Sequence, residues 1–366
     1  MHLRRTFALA VCLSLWSTVV FAEPNLPALE ELGKRVFFQN ISEPARMSCS
    51  TCHAPANGWT GGVAGINLGQ VAVTGANPHK VGGRKPPSAA YATFSPNLEL
   101  TEACWTGPGR RCKGGVFWDG RATGTGISAD ILPTGYEAYA QFLGPTADQA
   151  LGPFANSAEQ NVPVGEDEEL AGAGAVCRAV EGADYAELYE LAWGEPIGCD
   201  GEQAETVFQR LAASISAWEH STEVNSFSSR FDFATENEAF PFPSFTDQEN
   251  EGFAIFFDLE RGKCVACHNS VSAEGDPQVF SDQSFHNIGL PPNREVANFS
   301  PTDPDEGLAE FTEMPNHVGD FRTPTLRNVA RAVGVDFPKA YMHNGYFKSL
   351  EDVVHFYNTA AAKQAC

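Results

Sequence analysis

Cys49-Ser-Thr-Cys52-His53 recurs later in the chain as Cys264-Val-Ala-Cys267-His268. Cys-x-x-Cys-His is the attachment pattern of c-type haem. Two thiols add to the porphyrin vinyl groups, and the short spacing delivers the next imidazole to one face of the iron. A zinc knuckle, or a redox disulfide followed by a chance His, is the competing reading. Two full copies in a chain that opens like an exported protein argue against it. The predicted cofactors are therefore two covalently bound haem c groups. Cys49, Cys52, Cys264 and Cys267 attach them, and His53 and His268 are the proximal iron ligands.

The copies share a context. "LGKRVFF" precedes the first by about ten residues, and "EGFAIFFDLERG" leads into the second. Each reads as an amphipathic helix ending in paired Phe, then a loop, then the motif, as an internal duplication would leave them. The predicted fold is mainly α: two cytochrome c-like helical domains, each enclosing one covalently attached haem, with long irregular loops. In "TVFQRLAASISAWEH", Val207, Leu211, Ile215 and Trp218 share one helix face, and the span reads as the opening of the second domain. That places the domains at 23–201 and 202–366. "GGVAGINLGQVAVTGANPHKVGGRKPP" and "NSVSAEGDPQVFSDQ" are too rich in Gly, Pro and Ser for long helices.

The first residues combine a basic start, a short apolar run from Phe7 to Phe21 and small residues before Glu23. That is a secretory signal peptide over residues 1–22, and the run is too short to span a bilayer comfortably. The expected location is the periplasm, with Cys12 lost alongside the signal. Formal charge is -22, which disfavours nucleic acid and anionic lipid and is compatible with a basic protein partner. It equally describes an acidic soluble surface. Outside the two motifs, Cys104 with Cys112 and Cys177 with Cys199 form plausible local disulfides in an oxidising compartment. Cys366 is left over.

Several further stretches carry a family resemblance: "ELGKRVFF", "SCSTCH", "FWDGRA", "GPFANSAEQ", "FHNIGL", "FRTPTLRNVA" and "YMHNGYFKSLEDVVHFYN". In this order the chain resembles the bacterial dihaem cytochrome c peroxidase superfamily, which includes the MauG-type enzymes. The resemblance implies that the His53 haem meets hydrogen peroxide and that Trp118 lies between the haems and carries electrons. It makes Glu159 the distal acid/base, with Gln149 a second polar group. Taken alone, Trp118 would be a large core residue and Glu159 a solvated loop carboxylate. The chemistry asks for such a carboxylate, because peroxide loses a proton on binding ferric iron and the departing oxygen gains one.

Tyr357 has two readings. Ser349 and Asp352 resemble a capping box, and Leu350, Val353, Val354 and Tyr357 share a helix face, which makes Tyr357 an inward-pointing packing residue. The resemblance offers the second reading. Fourteen residues after His343, peroxidases of the family carry a Met ligand to the second haem, and MauG-like members carry Tyr. Tyr357 is then that ligand, ahead of Met314 and Met342, and its anionic oxygen lowers the haem potential. The family often binds calcium between its domains. Here Lys85 stands at the expected Asn ligand and "DFPKAYMH" replaces the usual approach, so calcium is doubtful: an ammonium takes its place, or the loops shift and keep the ion. The chain stops nine residues after Tyr357, which reads as a truncated C-terminus.

The expected activity is a periplasmic dihaem peroxidase that stores oxidising equivalents across both haems through Trp118 and takes electrons from a protein substrate. Two alternatives stay open. One is a detoxifying peroxidase fed by a small cytochrome c or a cupredoxin; the other is a dihaem electron carrier with both irons fully ligated. The sequence leaves the oligomeric state open.

Overall fold

The computed structural model describes residues 23–163, 171–269 and 278–363. The expected signal peptide, Cys12 and Cys366 lie outside these residues. In chain order the first helices are α1 (Leu26–Phe38), α2 (Cys49–Cys52), α3 (Ala64–Leu68) and α4 (Glu102–Thr106). They are followed by α5 (Pro145–Ala155), α6 (Gly172–Glu181), α7 (Glu187–Trp193) and the long α8 (Glu202–His220). The remainder carries α9 (Arg230–Asn237), α10 (Asp247–Phe257), α11 (Leu308–Thr312) and α12 (Leu350–Lys363). A short ribbon pairs β1 (Phe285–His286) with β2 (Phe321–Arg322), antiparallel, with Phe285 opposite Arg322. As expected, a helix ending in paired Phe precedes each Cys-x-x-Cys-His copy.

The main core forms where α1 crosses α8, with α5, α6 and α7 around them. Asn25 caps α1 by accepting from the Ala28 N–H at 3.2 Å, and Pro27 suits the first turn, whose N–H groups lack helical partners. Leu29, Leu32 and Val36 then recur on one buried stripe. Backbone touches backbone at the crossing. A Cβ on Gly33 would lie 1.9 Å from the Ser214 carbonyl oxygen, so no larger residue fits this contact.

The stripe expected on α8 is buried, and the helix packs against α1, α5 and α6, all of which precede it in the chain, rather than against the helices that follow. The reason is on its other faces: Ala212, Ala213, Ser214, Ser216 and Ala217 are buried too. Small residues let neighbours approach from several sides, whereas a stripe alone reads as a surface helix.

Past α8 the packing changes character. No residue of α10 is fully buried. Phe231, Phe242, Phe253, Phe257 and Phe280 instead build an aromatic cluster, with ring centres 5.0 Å apart for Phe231–Phe280 and 4.7 Å for Phe253–Phe257. Both expected disulfides are present, Cys104–Cys112 and Cys177–Cys199. The first lies in an apolar cluster with Leu98, Phe285 and Leu308. His317 braces it by donating from Nε2 to the Cys104 carbonyl at 2.9 Å while Nδ1 accepts from Thr312. Among the described residues no helix is long and apolar enough to cross a membrane.

Ser349 caps α12 by accepting from the Asp352 N–H at 3.0 Å. Its apolar face is covered only in part, with Leu350 and Val353 half-buried. Val354 is 59% exposed and Tyr357 48% exposed, which removes the reading of Tyr357 as a core aromatic.

Candidate active site

A cavity of about 1080 Å³ opens beside α2. Cys49, Cys52 and His53 line it together with Trp118, Gln149 and Glu159. These six residues come from four separate stretches of the chain, and the fold gathers them around one space, large by the standard of small-molecule sites. Nδ1 of His53 lies 3.2 Å from the Trp59 carbonyl. A carbonyl only accepts, so Nδ1 carries the proton and Nε2 keeps its lone pair for a metal. Burial holds His53 below its ordinary pKa and pushes the Cys49 and Cys52 thiols up to about 12, keeping all three neutral.

Glu159 is presented by a turn after α5. The Asn156 side-chain carbonyl accepts from the Ala158 N–H at 2.9 Å, and the Asn156 amide donates to Oε1 of Glu159 at 2.7 Å. The Glu159 carbonyl accepts from the Ala76 N–H at 2.7 Å, which clamps the turn to a second loop. Burial raises the Glu159 pKa, against the pull of Arg121 and the Asn156 hydrogen bond. Gln149, half-buried on α5, faces the same cavity.

Trp118 is buried and donates from its indole nitrogen to the Lys85 carbonyl at 2.7 Å. Its ring meets His343 edge-on at 6.4 Å, and His343 stacks on Phe321 at 3.4 Å. The Trp118 carbonyl accepts from the Arg322 N–H at 2.9 Å, which ties it to β2. From there Thr323 accepts from the Ser281 hydroxyl at 2.7 Å, and the next residue, Asp282, donates its N–H to the Cys267 carbonyl at 2.8 Å. A continuous bonded path thus runs from the cavity through Trp118 to the second motif.

At that motif Cys264 is exposed, and Cys267 and His268 are half-buried. His268 repeats the arrangement of His53, with Nδ1 2.9 Å from the Phe280 carbonyl. His286 bonds Asp282 at 2.8 Å, and this hydrogen bond, then Cys267, pushes His286 up to about 10. Tyr357 belongs to this neighbourhood and not to the cavity. Its ring is open, while its oxygen is the sheltered end: burial, then the nearby Cys267 and Cys264 sulfurs, push the phenol up to about 12. Both motifs therefore fit a haem, each with two thiols and an imidazole whose Nδ1 is oriented by a backbone carbonyl.

Three cavity residues escaped the sequence reading. Asn156 positions Glu159. Arg121 bonds Asp119 at 2.6 Å and lies over the Phe117 ring at 3.7 Å. Glu219 on α8 lines the cavity at 5% exposure, and burial pushes it up to about 8. A signal existed for the last: Glu219 follows Ile215 by one helical turn and interrupts an apolar stripe.

The profile of the di-haem cytochrome c peroxidase family matches residues 27–239. The chain is 29% identical to the methylamine utilization protein MauG of Paracoccus denitrificans, over 97% of this chain and 81% of that protein. It is 25% identical to the cytochrome-c peroxidase IdrP2 of Pseudomonas sp. strain SCT, over 92% of this chain and 75% of the relative. Its fold superposes on the crystal structure of the diheme peroxidase BthA from Burkholderia thailandensis with a TM-score of 0.70 and 29% identity, covering 93% of this chain and 73% of that one.

Proposed function

Because the chain belongs to the di-haem cytochrome c peroxidase family and is an oxidoreductase of that type, we propose that it reduces hydrogen peroxide at the His53 haem and oxidises a protein partner through the second haem. The observation that carries this reading is the single cavity joining Cys49, Cys52 and His53 to Glu159 and Trp118. Bound haem would supply the redox-active iron at each motif. The protein's share is to place protons and charge around it. Glu159, its pKa raised by burial, takes the proton that peroxide sheds and returns one to the departing oxygen. Gln149 orients peroxide, and Arg121 adds positive charge where negative charge develops.

Trp118 is the electron path, since its bonded neighbours lead from the cavity to Cys267. With haem bound, Tyr357 would be the residue to hold the second iron, and its oxygen as an anion would favour the oxidised metal and a MauG-like role over small-cytochrome peroxidation. The two haem-bearing domains divide after α8. The protein works in the periplasm, delivered by residues 1–22, and its charge of -22 suits a basic partner. Intact mass, ferric EPR and rapid mixing with peroxide test this together. The expected result is two haem additions, one open and one fully ligated iron, and reaction from the diferric state without prior reduction. One haem addition, or two fully ligated irons, would refute it. Reaction only after reduction by a small cytochrome would assign the detoxifying role instead.

A further inference from the structure

Two lysine ammonium groups, Lys339 and Lys348, stitch the loop that follows the first motif to the last third of the chain, and a third, Lys85, braces that loop from within. Lys339 Nζ donates to the carbonyls of Asn57, Asn328 and Arg331 at 3.0, 3.3 and 2.6 Å, using all three of its protons. Lys348 Nζ donates to Asn67 and Gly345 carbonyls at 2.6 and 2.8 Å. Lys85 Nζ donates to the Thr60 hydroxyl at 2.8 Å and to the Pro86 carbonyl at 3.1 Å. Two side-chain amides reinforce the seam: Asn57 accepts from the Val333 N–H, and Asn67 donates to the Pro338 carbonyl.

The seam reaches the site directly. The loop it holds includes Trp59, whose carbonyl accepts from His53. Lys85 accepts from the Trp118 indole and donates its own N–H to the His343 carbonyl at 2.7 Å. Holding these lysines in place therefore fixes His53 relative to Trp118.

We propose that Lys339, with Lys85 and Lys348, is the built-in cation of this seam, so that no calcium or other divalent ion is needed to join the two haem-bearing parts. Calcium takes six to eight oxygens, commonly with carboxylates among them. The partners here are backbone carbonyls and one hydroxyl, already engaged by ammonium protons. The site is also hostile to added positive charge: burial, then Lys339, pull Lys85 down to about 7, while burial, then Arg331, pull Lys339 down to about 8, which leaves Lys339 the principal cation at neutral pH. The lysines act as positioning residues and touch neither peroxide nor iron.

The test uses the holoprotein and rests on the haem-binding reading above, with intact mass as the check that two haems are present. Dialysis against EGTA should leave the unfolding temperature and both ferric EPR signals unchanged, and added calcium should restore nothing because nothing was lost. Lys339→Met should retain two haems but lower the unfolding temperature by roughly 5–10 °C, because it removes three hydrogen bonds to main-chain carbonyls at once. It should also shift the separation between the two haem potentials. If Lys339→Met fails to fold, Lys348→Met, which removes two of these bonds, should show the same changes at smaller size. A fall in unfolding temperature with EGTA that calcium reverses would overturn the proposal. So would a folded Lys339→Met or Lys348→Met protein indistinguishable from the parent.

Discussion

The side-chain amide of Asn156 donates to Oε1 of Glu159 at 2.7 Å, on a turn that Ala76 clamps from the other side. The carboxylate is thus aimed by bonds that survive replacement of its charge. Glu159→Gln should leave haem content and ferric spectra nearly unchanged while slowing the oxidation of the enzyme by peroxide roughly a hundred- to ten-thousand-fold, the range for a positioned acid/base. Stopped-flow absorbance decides it. A normal rate would move the proton-transfer role to another group, with Glu219 the first to examine.

Tyr357 lies where the Cys267 and Cys264 sulfurs act on its oxygen, and its exposed ring shares little with the protein core. Tyr357→Phe should therefore cost little stability, yet abolish the low potential of the second haem and the direct reaction of the diferric enzyme with peroxide. Tyr357→Met should raise that potential and make the reaction depend on prior reduction. Unchanged potentials in Tyr357→Phe would leave Met342 or Met314 as the ligand.

Glu219 gives stability a pH dependence with a definite sign. Burial raises its folded pKa to about 8, from 4.5 in the unfolded chain. Between those values the folded state holds a proton that the unfolded state has lost. The Glu219 contribution to stability is therefore full below about pH 4.5 and is lost as pH rises toward 8, by on the order of 4 kcal/mol in total. Glu219→Gln should flatten the profile by this amount and be the more stable protein at pH 8. Urea unfolding of both holoproteins across this range checks it, and parallel profiles would contradict the assignment.

Gly33 is the contact on which the α1–α8 crossing turns. A methyl group there would lie 1.9 Å from the Ser214 oxygen, forcing two backbones apart, so Gly33→Ala should destabilise by about 3 kcal/mol or more. Gly65 in α3 is the control. Nothing lies within 4 Å of its would-be Cβ, and Gly65→Ala should be neutral or stabilising by up to about 1 kcal/mol. Equal unfolding temperatures for the two variants would mean that the helices part freely.

How much of this was legible in the sequence follows from the kind of signal each feature leaves. The two motifs, the helices before them and both disulfides are local, and all were readable. The place of α8 was not, because Ala and Ser on its remaining faces carry little hydropathy although they permit the closest packing. The polar alignment of Glu159 was legible only through resemblance, since a loop carboxylate is ordinarily solvated. The seam of lysines shows a deeper limit. Lys85 stood out as a substitution, but the atoms that bind Lys339 and Lys348 are main-chain carbonyls, which every residue possesses and no sequence pattern marks.

The Cys104–Cys112 bridge closes a ring spanning a sequence separation of only eight residues, so its direct effect on chain entropy is modest. Its surroundings give it wider reach. It lies among Leu98, Phe285 and Leu308, and His317, from the far end of the sequence, is fastened to its Cys104 carbonyl. Reducing this bond would loosen a joint between distant parts of the chain, including the ribbon that contacts Trp118. The separation of the two redox centres is thereby made answerable to thiol chemistry: a chain folded among reducing thiols would carry every residue needed for activity and still assemble with one of its fastenings undone.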